Sequence, residues 1–155
     1  MRHWLMKSEP DVFGIDDLAR APRRTTAWEG VRNYRARNLL RDDFGRGDLA
    51  FFYHSSCDVP GIAGIVEVVR AAYPDPTQFD PASEYHDTGS TRATPRWYCV
   101  DVRLVRRIVP VITLPELRKH ASSTLRDMIV LERGNRLSVT PVTSAEWRFI
   151  LSLRP

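Results

Sequence analysis

Cysteine is nearly missing: Cys57 and Cys99 are the only two in 155 residues. Two thiols build neither a disulfide framework nor a cysteine-rich zinc site. Such a chain is expected in a reducing compartment, the cytoplasm. Lysine is just as scarce, with only Lys7 and Lys119, so almost all positive charge is arginine. No run approaches the roughly 20 apolar residues of a membrane span. Met1 leads straight into Arg2-His3-Trp4, without the apolar stretch of a signal peptide. A soluble domain with no membrane partner is the expectation. The four histidines, His3, His54, His86 and His120, stand apart, and His54 with Cys57 is the one pair at metal-like spacing. Two ligands do not make a zinc site. The Gly-x-Ser-x-Gly elbow, the P-loop and the Gly-x-Gly-x-x-Gly turn are all missing. These gaps point to a chain with no metal, no cofactor and no catalytic set.

What is present is ordinary for a globular fold: 43% hydrophobic and 27% charged residues exclude wholesale disorder. The length suits one domain, taken as residues 1–155. The formal charge of +4 is not spread evenly. Between Arg20 and Arg46 lie eight arginines against three acids, Glu29, Asp42 and Asp43. That segment is a candidate anion-facing surface.

Residues 3–7 read as a strand that Pro10 cannot extend. A short helix follows over 15–20, with Asp16 and Asp17 in the first turn, then loop over 21–27. Residues 33–43 read as the central helix. Ala36, Leu39, Leu40 and Phe44 form its apolar stripe, and Tyr34, Arg37, Asn38 and Arg41 form a cationic second face. Gly45 to Asp48 turn the chain into a strand over 49–54. Residues 61–70 are another strand, whose two glycines suit close backbone approach or a sharp bend. Residues 71–95 read as a long polar loop of the kind that is functional or disordered. Residues 96–108 alternate as the longest strand, and Trp97 falls on its polar side, in need of cover from the long loop or a ligand. Short helices are expected over 114–120 and 125–131, and a strand over 136–140 ending at Pro141. Thr143 to Glu146 fits a capping box before a last helix with Trp147, Ile150 and Leu151 on its apolar side. Several strands around short helices, with no βαβ unit, imply a small mixed barrel.

Binding chemistry is better supplied than catalysis. Trp28, Tyr34, Tyr53 and Trp97 are large flat side chains beside polar neighbours. Any one of them alone reads first as core. Aromatic planes hold a nucleobase at about 1–3 kcal/mol per stacked base. Asn33, Ser55 and Ser8 can read a base edge, and guanidinium groups suit phosphates.

Six blocks of the chain resemble the EVE domain family, which is related to the YTH and PUA-like folds. They are Trp4-Leu-Met-Lys-Ser-Glu-Pro10, Trp28-Glu-Gly-Val-Arg-Asn-Tyr34 with Ala36-Arg-Asn38, Gly47-Asp-Leu49, Phe52-Tyr-His-Ser55, Pro95-Arg-Trp97 and Arg136-Leu-Ser-Val-Thr-Pro-Val142. They run in the family's order over nearly the whole chain. The resemblance implies an α+β, PUA-like pseudo-barrel of five or six strands with short helices around it. It also implies a pocket that receives a modified base flipped out of nucleic acid, a methylated or oxidised cytosine in DNA ahead of a modified RNA base. By matching position that pocket takes Lys7, Ser8, Glu9, Trp28, Asn33, Tyr34, Tyr53, His54, Ser55, Trp97 and Ser138. Arg32, Arg35, Arg37, Arg41 and Arg136 would hold phosphates. Bacterial relatives beside restriction functions imply an effector protein as a further partner. A PUA-type RNA-binding module, a small-molecule sensor and a base-modifying enzyme using Lys7, Glu9 and His54 as acid–base groups are the competing readings.

Overall fold

Apolar residues alternate between two cores, not between core and water, in the computed structural model, which describes residues 1–155. Strand β1 (His3–Ser8) sends Trp4 and Met6 to one core and Leu5 to the other. Strand β3 (Leu49–His54) does the same with Ala50 and Phe52 against Phe51 and Tyr53. A sheet covered on both faces explains the unbroken apolar runs of these strands. Helices α1 (Pro10–Phe13), α2 (Ile15–Arg20) and α3 (Tyr34–Asn38) lie early in the chain. Ile15, Leu18, Ala36, Leu40 and Phe44 join the first core. Helices α4 (Leu114–Arg118) and α5 (Ser144–Ser152) supply Leu117, Trp147 and Ile150 to the second. Phe51, wholly buried, stacks on Trp147 at 4.0 Å. Burying one such side chain contributes about 1.5–3 kcal/mol.

The fold is α+β. Its remaining strands are β2 (Thr25–Ala27), β4 (Gly61–Pro74), β5 (Tyr98–Thr113) and β6 (Val139–Val142). All six form one mixed sheet in the order β2-β5-β4-β3-β1-β6, with β1 and β3 parallel. The expected barrel is not closed, because β2 and β6 stand at opposite ends of that order and do not pair. No helix is long and apolar enough to cross a membrane.

Several boundaries differ from the sequence reading, each for a local reason. Residues 25–27 are a strand, not loop, because β5 offers them an edge from Asp101 to Arg103. β4 continues to Pro74, into the segment read as loop. β5 runs past Pro110 because the register jumps between Ile62–Ile112 and Gly64–Arg107. The proline sits in that bulge and owes the ladder no hydrogen bond. Pro141 lies inside β6, where an edge position tolerates it. The helix expected over 125–131 reduces to one tight turn at Ile129–Leu131. The central helix is α-helical only to Asn38 and then widens into a π-turn over Leu39–Asp43. Close approach explains Gly61: a Cβ there would collide with the Ile112 carbonyl. The capping box is present, with Glu146 N–H donating to Thr143 Oγ1 at 3.1 Å and Thr143 N–H to the Glu146 carboxylate at 2.9 Å.

The segment between β4 and β5 is knitted by buried polar groups. The Asp75 carboxylate, 0% exposed, accepts from Gly30 N–H at 2.8 Å, Thr77 N–H at 2.8 Å, Thr77 Oγ1 and Arg32 at 3.1 Å. Gln78 Nε2 donates to the Asp75 and Trp97 carbonyls, and its Oε1 accepts from Trp97 N–H. Arg32 in turn donates twice to the Tyr85 carbonyl. The loop is thereby pinned to the segment after β2.

Burial alone would raise the Asp75 carboxyl, but the bonds from Thr77, Gly30 and Arg32 outweigh it and hold the group below its ordinary value. The side chain therefore stabilises the fold fully above about pH 4, and less as pH falls through its folded value. Asp75→Ala is expected to cost about 3–5 kcal/mol, because Arg32 is left half-buried without its counter-charge; urea unfolding measures it. A second pH effect comes from His54, whose Nε2 accepts the Ile15 N–H at 3.1 Å and whose protonation burial disfavours. Its folded value lies below the unfolded one, so stability is full above about pH 6.5 and declines as pH falls below it. His54→Gln is expected to flatten that decline in denaturation curves taken from about pH 7 to pH 5, leaving the part due to His3, which burial also lowers.

Candidate nucleic-acid interface

The two edges of the open sheet meet across a cavity of about 470 Å³. One wall comes from the end of β1 and its continuation, Lys7, Ser8 and Glu9, with Ser138 just before β6. Lys7 N–H donates to the Ser138 carbonyl at 2.8 Å and extends the β1–β6 ladder to the cavity. The other wall comes from Thr26 and Ala27 of β2, and from Trp28 to Arg32 beyond it. Val12 and Phe13 of α1 and Tyr85 of the pinned loop complete the lining. A concave site of this size, part aromatic and part polar, suits a small flat ligand.

Each aromatic wall is held from behind. Trp28 is 8% exposed and packs edge-on against Phe52, with ring centres 5.4 Å apart. Its indole is core on one side and cavity wall on the other. Tyr85 lies over Gly30, where φ is +85° and a Cβ would fall 2.7 Å from the ring. Only glycine fits both demands.

The polar lining divides into spent and unspent groups. Ser8 Oγ donates to the Phe13 carbonyl at 2.6 Å, which leaves it only acceptor capacity. Arg32 lines the cavity with every donor group engaged, on Tyr85, Val31, Asp75 and Thr77. Its plane lies 5.5 Å from the Tyr85 ring and 5.3 Å from the Trp97 ring. In this state it braces the loop, and its donors are taken by the protein itself. Lys7 makes no ion pair, and burial pushes its ammonium below the ordinary value. Burial, together with the Asp75 charge, raises the Glu29 carboxyl, against the pull of Arg32.

Of the expected pocket residues, Lys7, Ser8, Glu9, Trp28 and Ser138 come together here. Asn33 does not join them: its Oδ1 caps α3 by accepting the Ala36 N–H at 3.0 Å. Tyr53 faces the second core at 3% exposure, one strand position out of phase with Phe52. His54 is spent on Ile15, and so the trio of Lys7, Glu9 and His54 is not assembled. Ser55 continues the β1–β3 pairing through its N–H to the Ser8 carbonyl and lies off the lining. Trp97 is 6% exposed and donates through Nε1 to Asp87 at 2.7 Å. The long loop, not a ligand, covers it. Tyr34 stacks on the outside of Trp97 at 4.8 Å and is 53% exposed.

The arginines also divide. Arg37 donates to the Arg96 carbonyl and lies over Tyr34 at 4.9 Å, and Arg41 pairs with Asp42. Arg35 and Arg136 are exposed and carry no ion pair, as do Arg23, Arg24 and Arg46. Sequence reasoning missed Tyr85, Phe13 and Asp75. Tyr85 and Asp75 sit in the segment read as one long loop, and their only signal was its aromatic and acidic content.

The comparisons with known proteins cover this whole architecture. The family described as the EVE domain matches residues 2–153. Thymocyte nuclear protein 1 of Homo sapiens is 45% identical over 166 residues, across 97% of this chain and 73% of the relative. A crystal structure from Pseudomonas putida is 49% identical, with a TM-score of 0.93 and 99% of each chain covered. The crystal structure of human THYN1 protein in complex with DNA containing 5-methylcytosine has a TM-score of 0.94 at 44% identity, covering 99% of this chain and 97% of that one. The match spans both walls of the cavity and every strand between them, and on it the chain belongs to the EVE domain family.

Proposed function

We propose that this chain is a non-enzymatic reader of DNA that captures a modified cytosine, swung out of the helix, in the cavity between the sheet edges. The observation that carries the reading is the cavity itself: about 470 Å³, walled by Trp28, Tyr85 and Phe13, with polar side chains at hand. The human relative whose structure contains 5-methylcytosine DNA supports the choice of base and polymer. The exposed arginines Arg35 and Arg136 suit the phosphates on either side. Arg37 and Arg41 are partly engaged and contribute less, and Arg32 acts through the walls it braces. His54, bonded to Ile15, lies off the cavity that Lys7 and Glu9 line, which supports binding without turnover.

Extruding a base costs a few kcal/mol, which stacking and edge contacts must return. Stacking supplies about 1–3 kcal/mol per base. A methyl group adds only about 0.8 kcal/mol by burial, so the mark is read by fit to a walled space more than by affinity for the carbon.

Tyr85→Ala removes one wall while its backbone stays pinned by Arg32. It is expected to weaken binding to a 5-methylcytosine duplex about 5- to 100-fold with little change in melting temperature; titration at fixed salt measures it. Trp28→Phe is the companion variant, because Trp28→Ala would open the first core and cost about 3–5 kcal/mol of stability. Arg35→Ala and Arg136→Ala are each expected to lower the slope of log K against log salt by about one. Unchanged affinity in Tyr85→Ala, or equal competition by unmodified RNA, would count against the reading.

A further inference from the structure

Three charged side chains on the cavity lining, Lys7, Glu9 and Glu29, make no ion pair or hydrogen bond within the fold. Lys7 lies on the β1 wall, half-buried and with no acid paired to it. Glu29 stands on the opposite wall between Trp28 and Gly30, and Gly30 lies beneath Tyr85. The cation nearest it, Arg32, is committed to Asp75, Thr77 and the Tyr85 carbonyl and offers it no hydrogen bond. The other acids around Glu29 are Asp75 and Asp101, which repel it and help keep its carboxyl raised. Glu9 lies on the Lys7 wall, exposed, with its backbone carbonyl taken by α1. Lys7 offers donors from one wall of the slot and Glu29, exposed, offers acceptors from the other, a combination that a ligand with both an acceptor and a donor on its edge would pair.

Resting on the base-capture reading above, we infer that Lys7 and Glu29 are the pair that reads the edge of the captured base, Glu29 accepting from its 4-amino group and Lys7 donating to its 2-carbonyl oxygen. The arrangement selects a cytosine-type edge. Thymine carries the same ring, the same 5-methyl group and the same 2-carbonyl, but it presents a carbonyl oxygen where cytosine has its amino group. A carboxylate facing that oxygen has no proton to accept, and two acceptors meet. Lys7 serves both bases alike, so the two residues divide the work: Lys7 sets affinity and Glu29 sets choice. The acids on both walls also keep phosphate out of the cavity and leave it to the arginines outside.

The test uses single-stranded 12-mers that carry one 5-methylcytosine or one thymine in an otherwise identical sequence, which removes differences in the cost of base extrusion. An oligomer with an abasic site at that position is the baseline. The wild-type chain is expected to prefer 5-methylcytosine over thymine by about tenfold or more. Glu29→Gln, whose amide both accepts and donates, is expected to bring that ratio within about threefold by tightening the thymine complex. Lys7→Met is expected to weaken both complexes by similar factors and leave the ratio unchanged. Thermal melting of each variant checks the fold. A wild-type chain that holds both oligomers equally well above the baseline overturns this assignment and leaves base capture standing. So does a Glu29→Gln variant that keeps the wild-type ratio. A wild-type chain that holds neither above the baseline overturns the base-capture reading itself and this assignment with it.

Discussion

One buried carboxylate organises the site. Asp75 is fully buried, so its oxygens must take protein donors, and it finds them on two stretches of chain: Gly30 and Arg32 after β2, and Thr77 beside it after β4. Burial makes those bonds strong and their loss expensive. Through them the segment after β2 and the segment after β4 become one rigid body. Arg32, fixed on Asp75, then fixes the Tyr85 carbonyl and lies beside the Trp97 ring. The cavity wall is a consequence of this node: Trp28 is locked from the core side and Tyr85 from the loop side, with Gly30 between them.

The second constraint is the failure of the sheet to close. β2 has three residues and β6 four. Short edge strands protect a sheet against pairing with strangers, and here they also leave room where a closed barrel would have ladder bonds. The space between them is lined by side chains from both edges. A small fold cannot open a cavity inside a packed core without losing stability. Placing the cavity at the seam avoids that loss, since each face of the sheet keeps its own complete core.

Charge is distributed by the same logic. Many arginines of the basic segment are spent within the protein, on Asp17, Asp75, Asp42 or a carbonyl. The excess that remains for a polyanion sits on exposed residues away from the cavity lining, while the lining holds acids beside Lys7. Long-range attraction and short-range discrimination are therefore handled by different side chains, which is how nucleic-acid recognition separates positioning from reading.

Local rules made much of this legible in the amino-acid order. Period-two alternation marked β5, and short apolar runs marked β1, β3 and β4. The Thr143–Glu146 box marked the start of α5, and six sequence blocks marked the family and with it the fold class. Trp97 reads as lying on the polar side of a strand that pairs only from Tyr98, and it does have cover. Tertiary structure alone decided what provided that cover, because a tryptophan beside a proline-rich loop reads alike whether a ligand or the loop itself hides it. It also decided that Asn33 Oδ1 and His54 Nε2 accept from helix starts, and that Tyr53 turns to the far core. Strand β2 exists only because β5 lends it an edge. Tyr85 enters the cavity only because Asp75 and Arg32, 43 residues apart in the chain, meet in space. Periodicity and capping act within a few residues and can be read in order, whereas a cavity is made of long-range contacts that no local pattern encodes.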